Sequence, residues 1–169
     1  DNATNPFKID SDDDGLSDLQ EVGANGVYEV GVDTNPLEVD TDVDGLDDGV
    51  EDANRDGVRD ETETDPRLAD TDGDGLDDGV EDVNRDGVRD ETETDPLSAD
   101  TDGDGLDDKV ELDNVTDPLL ADTDGDELSD FEEIGADGIY HEGTETNPNV
   151  ADTDGDTFND KVDVCPLLV

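Results

Sequence analysis

A chain of 169 residues with 57 acidic side chains against eight basic ones, a formal charge of −49, excludes nucleic acid, acidic substrates and anionic membrane surfaces as direct partners. Only 28% of it is hydrophobic and 3% aromatic, too little to bury the surface that normally offsets chain entropy, so composition alone predicts disorder. The acid is phased, however, and phased acid has another use.

Taken in chain order, the phase appears first at Asp10, Asp12, Asp14, Leu16, Asp18 and Glu21, and again at Asp40, Asp42, Asp44, Leu46, Asp48 and Glu51. Directly behind the second copy runs a further one with an amide at its third position: Asp52, Asn54, Asp56, Val58, Asp60 and Glu63. Asp70, Asp72, Asp74, Leu76, Asp78 and Glu81 follow, again with an abutting copy at Asp82, Asn84, Asp86, Val88, Asp90 and Glu93. The series continues with Asp100, Asp102, Asp104, Leu106, Asp108 and Glu111, then Asp122, Asp124, Asp126, Leu128, Asp130 and Glu133. It closes with Asp152, Asp154, Asp156, Phe158, Asp160 and Asp163. These are positions 1, 3, 5, 7, 9 and 12 of a twelve-residue loop, the frame from which a chain offers six to eight hard oxygens to one calcium ion, position 7 through its backbone carbonyl. Glycine at position 6 supplies the turn, as at Gly45; Glu127 and Thr157 replace it in the last two main loops, where Asp163 also stands for the longer glutamate. Those two sites are expected to bind most weakly. Every residue above is therefore a candidate metal ligand, with several Ca2+ ions as the expected cofactor.

The main loops start at residues 10, 40, 70, 100, 122 and 152, spacings of 30, 30, 30, 22 and 30, which reads as one array over residues 1–169 rather than a globular core. The expected units are 10–39, 40–69, 70–99, 100–121 and 122–151, with partial units at 1–9 and 152–169. Connectors repeat Thr-Asx-Pro at Thr34, Thr64, Thr94, Thr116 and Thr146, a stiff extended turn in each case. Leu37, Leu68, Leu97 and Leu119, with Leu46, Leu76, Leu106, Val50, Val80 and Val110, are expected to pin neighbouring units. Helix is expected only as single turns, such as Gly49 to Asp52, and Val27 to Val32 alternates like a short strand. Val22-Gly-Ala-Asn-Gly-Val-Tyr28 and Ile134-Gly-Ala-Asp-Gly-Ile-Tyr140 are copies of each other, their tyrosines expected to pack locally. Cys165, the single cysteine, is expected as a buried thiol among Val164, Pro166, Leu167 and Leu168. Asn2 and Asn114 head Asn-x-Thr sequons, which either accept glycans or simply belong to the connector motif.

The run Asp70-Thr-Asp-Gly-Asp-Gly-Leu-Asp-Asp-Gly-Val-Glu81, then Thr94-Asp95-Pro96 and a return to Asp100-Thr-Asp-Gly-Asp-Gly, resembles the bacterial thrombospondin type 3 repeat over almost the whole chain. The resemblance implies an irregular, elongated backbone wound around calcium, in extracellular stalks and spacers, with no catalytic activity. An EF-hand fits poorly, because position 8 is Ser17, Asp47, Asp77, Asp107, Ser129 and Asn159 where an apolar residue is needed, and proline connectors occupy the space for a helix. Three function classes are thus set against one another. A calcium-rigidified spacer or head-to-tail fibre subunit fits the strict frame. A calcium buffer needs only clustered acid, and an enzyme lacks a base, an orienter and a pocket together, His141 being the one histidine. A chain opening at Asp1 reads as a processed protein or an excised fragment, and low cytosolic calcium places a metal-dependent fold at the cell surface or outside it. Matched partial motifs at the two ends, Asp1-Asn-Ala-Thr-Asn-Pro6 and Pro166-Leu-Leu-Val169, allow copies to join end to end.

Overall fold

The computed structural model describes residues 4, 5 and 7–168. The chain is mostly irregular. Its helices are α1 (Asp18–Glu21), α2 (Asp48–Glu51), α3 (Asp78–Glu81), α4 (Asp108–Asn114) and α5 (Asp130–Ile134), with a 3-10 turn at Gly23–Asn25. Each α-helix begins at position 9 of a main loop, on an extended N-cap residue at position 8. Ser17 and Ser129 cap in full, accepting from the backbone N–H of Gln20 and Glu132 while those side chains reach back to the cap. Asp47, Asp77 and Asp107 make no such side-chain bond. The expected turn from Gly49 to Asp52 is present one residue earlier, with Asp52 as its C-cap. The limit of one helical turn does not hold at α4, whose seven residues continue because no abutting loop follows Glu111; Val115, left-handed at φ 66°, ends it. The strand expected over Val27 to Val32 does not form. Val30 and Asp33 make only an isolated bridge, since no second extended segment lies alongside.

Two compact units emerge, Asp1–Leu97 and Ser98–Val169. Burial within them is inverted relative to ordinary proteins: the buried apolar set is Leu16, Val22, Leu46, Leu76, Leu106 and Ile134, whereas twenty polar or charged residues are buried, most of them Asp or Glu. Four of the position-7 leucines, Leu16, Leu46, Leu76 and Leu106, are therefore buried, as a packing role requires. Leu37, Leu68, Leu97 and Val80 remain exposed, because the connectors turn on Pro36 and on buried Thr34 and Thr64 rather than on the residues after them. Cys165 is exposed, not buried; Val164 and Leu168 beside it are equally open, and no later segment of the described residues covers them.

One hydrogen-bond pattern shapes every main loop. In the second, the backbone N–H of Val43 and of Gly45 donate to the two oxygens of Asp40 (2.7 and 3.1 Å), that of Asp44 to Asp42 (3.3 Å) and that of Leu46 to Asp44 (2.7 Å). The backbone N–H of Asp48 closes the loop on the carbonyl of Val39 at 2.8 Å. Pointing successive N–H groups inward this way requires left-handed backbone at positions 4 and 6. Gly73 and Gly75 accept it without strain, whereas Asp13, Val43, Glu127 and Thr157 adopt it at φ 72°, 69°, 82° and 88°. Val43 and Thr157 are the costliest, both being β-branched. Val43→Gly is expected to stabilise the metal-loaded fold by about 1 kcal/mol, the relieved strain exceeding the added freedom of the unfolded chain, read as a raised thermal midpoint.

Candidate metal centre

Position 9 departs from the simple loop frame. Asp48 accepts from its own loop's Thr41 twice, the backbone N–H to Oδ1 at 2.7 Å and the hydroxyl to Oδ2 at 2.6 Å. The same clamp joins Ser11 to Asp18, Thr71 to Asp78, Thr101 to Asp108, Thr123 to Asp130 and Thr153 to Asp160. So held, Asp48 is turned toward the preceding loop, where carboxylate oxygens of Asp14, Glu21 and Asp48 lie within 4.8 Å of one another. Asp44, Glu51 and Asp78 form the next such group. Separately, Asp10, Asp12 and Asp14 converge within one loop, as do Asp40, Asp42 and Asp44. Position 5 therefore belongs to two groups at once, one inside its loop and one shared with the next. The hydroxyl at position 2, which sequence reasoning passed over, sets this arrangement; its recurrence as Thr or Ser in every main loop was the signal available.

Successive loops also touch through backbone. Asp44 Oδ2 accepts from the backbone N–H of Gly79 at 2.9 Å, Asp104 from Phe131 at 2.7 Å and Asp126 from Lys161 at 3.1 Å. At Gly49 and Gly79 the approach is so close that a Cβ would lie 2.4 and 2.5 Å from the carbonyl oxygens of Asp14 and Asp44. At Gly49 and Gly79 the missing Cβ is thus a packing requirement between loops, unrelated to any φ angle, whereas Phe131 and Lys161 hold the same position in later loops. The abutting loops dock in the same direction: the guanidinium groups of Arg55 and Arg85 cover Gly15 and Gly45, and a Cβ at Gly57 or Gly87 would meet the carbonyls of Gln20 or Val50 at 2.8 and 2.7 Å.

The electrostatics are what a cation would need. Side-chain oxygens that are buried and make no hydrogen bond include Oδ2 of Asp12, Asp42, Asp72, Asp102, Asp124 and Asp154, Oε2 of Glu51, and both oxygens of Glu21, Glu111 and Glu133. An unpaired buried carboxylate is strongly unfavourable unless it is protonated or meets a positive charge. Burial first, and then neighbouring aspartates, push Glu51 up to about 10, Glu111 to about 9, and Glu21 and Glu133 to about 8. Asp48 is raised to about 7, and Asp42, Asp72, Asp102 and Asp124 to about 6, burial again leading. No lysine or arginine enters these groups. These buried, clustered Asp and Glu side chains can bind metal ions.

The abutting loops are built differently. Asp52 and Asp56 accept backbone N–H groups as in a main loop, from Gly57 at 2.6 Å and Val58 at 2.8 Å. Glu63, however, turns both oxygens back onto the chain, accepting from Asn54 at 3.1 Å and Asp60 at 3.0 Å, and Glu93 does the same with Asn84 and Asp90. Asp60 and Asp90 accept from Thr62 and Thr92, which lowers rather than raises them. Position 2 is Ala53 or Val83 here, so the clamp on position 9 is missing. Of the remaining candidates, the leucines of position 7 are in the core or, at Leu128, half-buried, while Val58, Val88 and Phe158 project outward. In the last main loop Asp163 is only half-buried.

Asp137, His141 and Glu145 also lie within 4.8 Å of one another, but Glu145 faces Nδ1 at 3.2 Å and Asp137 faces Nε2 at 4.0 Å. Opposite ring nitrogens cannot serve one ion, so this is a pair of exposed ion contacts. Asn114 uses its amide in packing: Nδ2 donates to the carbonyls of Val110 (2.8 Å) and Gly138 (3.0 Å), and Oδ1 accepts from the backbone N–H of Tyr140 (3.2 Å). The nitrogen a glycan would take is therefore engaged, and the sequon is the connector motif. Asn2 lies outside the described residues. No helix of the described residues is long and apolar enough to cross a membrane. No family model, curated protein or solved structure matches the chain.

The raised carboxyls set a pH dependence. In the unfolded chain Glu51 loses its proton near 4.5, whereas folded and metal-free it keeps it to about 10. Between those values the folded state binds more protons, so metal-free folding weakens as pH rises through that window. Saturating metal removes those protons, and acid then competes with the ion, reversing the slope. Circular dichroism from pH 4 to pH 9, with chelator and with metal, is expected to give opposite trends.

Proposed function

We propose that this protein is a calcium-stabilised repeat array serving as an extracellular structural element, a stiff spacer or the body of a fibre, with no catalytic role. The observation that supports it is the set of buried, unpaired carboxylate oxygens shared between successive loops. The donors are all oxygen, which favours a hard cation over zinc or copper. Irregular loops that combine several carboxylates with backbone carbonyls suit the larger, more flexible shell of calcium, whereas magnesium demands a tight octahedron and keeps its waters. In this reading the position-5 aspartates bridge two ions, one within the loop and one between loops, so that filling the sites joins each loop to the next. That coupling is why shape, rather than metal load, is the purpose: a buffer has no use for glycines cut to let backbones touch. The resemblance to thrombospondin type 3 repeats points the same way, and an extracellular setting supplies the calcium.

Because binding energy becomes folding energy when a preformed site is lacking, the chelated chain at neutral pH is expected to be expanded. Small-angle scattering should report a marked drop in radius of gyration on adding calcium; an equally compact chain in chelator would refute the proposal. Within the loops, Glu51→Gln removes a carboxylate with one unpaired buried oxygen from a shared group and is expected to cost more calcium affinity than the roughly 10–100-fold typical of an outer-shell partner. Glu63→Gln, whose carboxylate already serves the backbone, is expected to cost less, as measured by calorimetric titration.

A further inference from the structure

One contact inside the second unit has its two halves exposed elsewhere in the chain. There, the segment Ile134 to Tyr140 packs back onto α4: a Cβ at Gly138 would meet Val110 Cγ1 at 3.0 Å, and Tyr140 and Gly138 bond to Asn114. Its sequence copy, Val22 to Tyr28, places Gly26 at the same φ of 66°, yet nothing lies within 4 Å of a Cβ there. Leu19, Gly26 and Tyr28 instead line an open depression, and Leu19 is 64% exposed. The other half recurs in the last loop. Asp160-Lys161-Val162 repeats Asp108-Lys109-Val110, and Val162 is 64% exposed.

The shared carboxylate groups show the same pair of exceptions. At position 9, Asp48, Asp78, Asp108, Asp130 and Asp160 are buried, whereas Asp18 is half-exposed. At position 12, Glu21, Glu51, Glu81, Glu111 and Glu133 are buried, whereas Asp163 is not. The first loop thus offers an uncovered position 9, and the last loop an uncovered position 12 together with Asp156 at position 5.

We propose that a second copy of this chain fills both surfaces, the last loop of one copy docking on the first loop of the next. Val162 takes against Gly26 the place that Val110 takes against Gly138. Asp156 and Asp163 meet Asp18 of the other copy in the arrangement of Asp14, Glu21 and Asp48, with calcium between them. The proposal rests on the calcium reading above and adds the partner and the contact surfaces. Pro166 stands where Asn114 would follow Val162, so that amide is not supplied by the last loop. Because the two surfaces differ, each added copy leaves one of each free, and association continues into an open chain or closes into a ring.

The test is light scattering on the whole chain with calcium and with chelator, alongside scattering-derived compaction of the same samples. Two variants separate the surfaces. Val162→Arg alters an exposed side chain, and Gly26→Asn keeps the left-handed backbone, which asparagine tolerates, while filling the space opposite. Wild type is expected to grow in mass with concentration only in calcium; each variant alone should remain a monomer, and an equimolar mixture should stop at dimers, since one intact surface of each kind remains. A chain that compacts in calcium yet stays monomeric overturns the docking proposal while leaving the calcium reading in place, and would assign the surface to a preceding repeat of a longer polypeptide. A chain that neither compacts nor associates overturns both. Variants that associate as wild type does would also overturn it, since the contact would then lie on another face.

Discussion

Carboxylates of like charge, held a few ångströms apart and out of water, are the constraint on which the rest of this fold depends. Glu51, Asp44 and Asp78 share one such place, with no lysine or arginine among them and Glu51 pushed up to about 10. At neutral pH that arrangement is unfavourable by itself. What the chain contributes is preorganisation: in the second loop its own backbone N–H groups hold both oxygens of Asp40 and one oxygen each of Asp42 and Asp44, and Thr41 holds both oxygens of Asp48. Oδ2 of Asp42 and Oε2 of Glu51 are left buried and without a hydrogen bond. A hydrophobic core drives collapse from any starting point, whereas this interior is unfavourable until its charge is removed by protons or met by a positive ion.

The apolar residues play a secondary, local part. Leu16, Leu46, Leu76 and Leu106 are buried one per loop, spaced along the chain. Close packing is instead achieved by subtraction. Gly49 and Gly79 let backbones meet, and Gly57 and Gly87 let the abutting loops lie against α1 and α2. Of the eight cationic residues, Arg55 and Arg85 serve this docking, while Lys8, Arg67, Arg89, Lys109 and Lys161 pair with Asp13, Asp65, Asp95, Asp113 and Glu132, carboxylates outside the buried groups described above. A fold that paired its buried carboxylates with arginine would hold them ionised; here burial and neighbouring aspartates raise Glu21, Glu51, Glu111 and Glu133 instead.

The difference between the two kinds of loop has the same origin. Main and abutting loops share the turn geometry, left-handed at Val43 and Gly45 and again at Arg55 and Gly57. They part at positions 2, 9 and 12. In the second main loop, where a hydroxyl clamps position 9, Glu51 at position 12 accepts from the Thr64 hydroxyl and keeps Oε2 buried without a hydrogen bond; where Ala53 or Val83 replaces that hydroxyl, Glu63 or Glu93 folds back to satisfy the backbone. Ligand spacing is identical in the two, so spacing alone cannot rank them.

From the sequence by itself came the phase of the acid, the irregular backbone, the absence of a conventional core and the positions where carboxylates gather, because a twelve-residue loop is local and its hydrogen bonds reach only a few residues. The tertiary structure decided which carboxylates share a group. Asp48 stands in its own loop's frame yet faces Asp14 and Glu21, an arrangement spanning more than thirty residues that turns on Thr41 and on the missing Cβ of Gly49. It also decided that Cys165 is open to solvent and that Val27 to Val32 has no strand partner, both questions of what lies alongside in space. Local chemistry sets the loops, and contacts between loops, invisible to any repeat period, set what each one can hold.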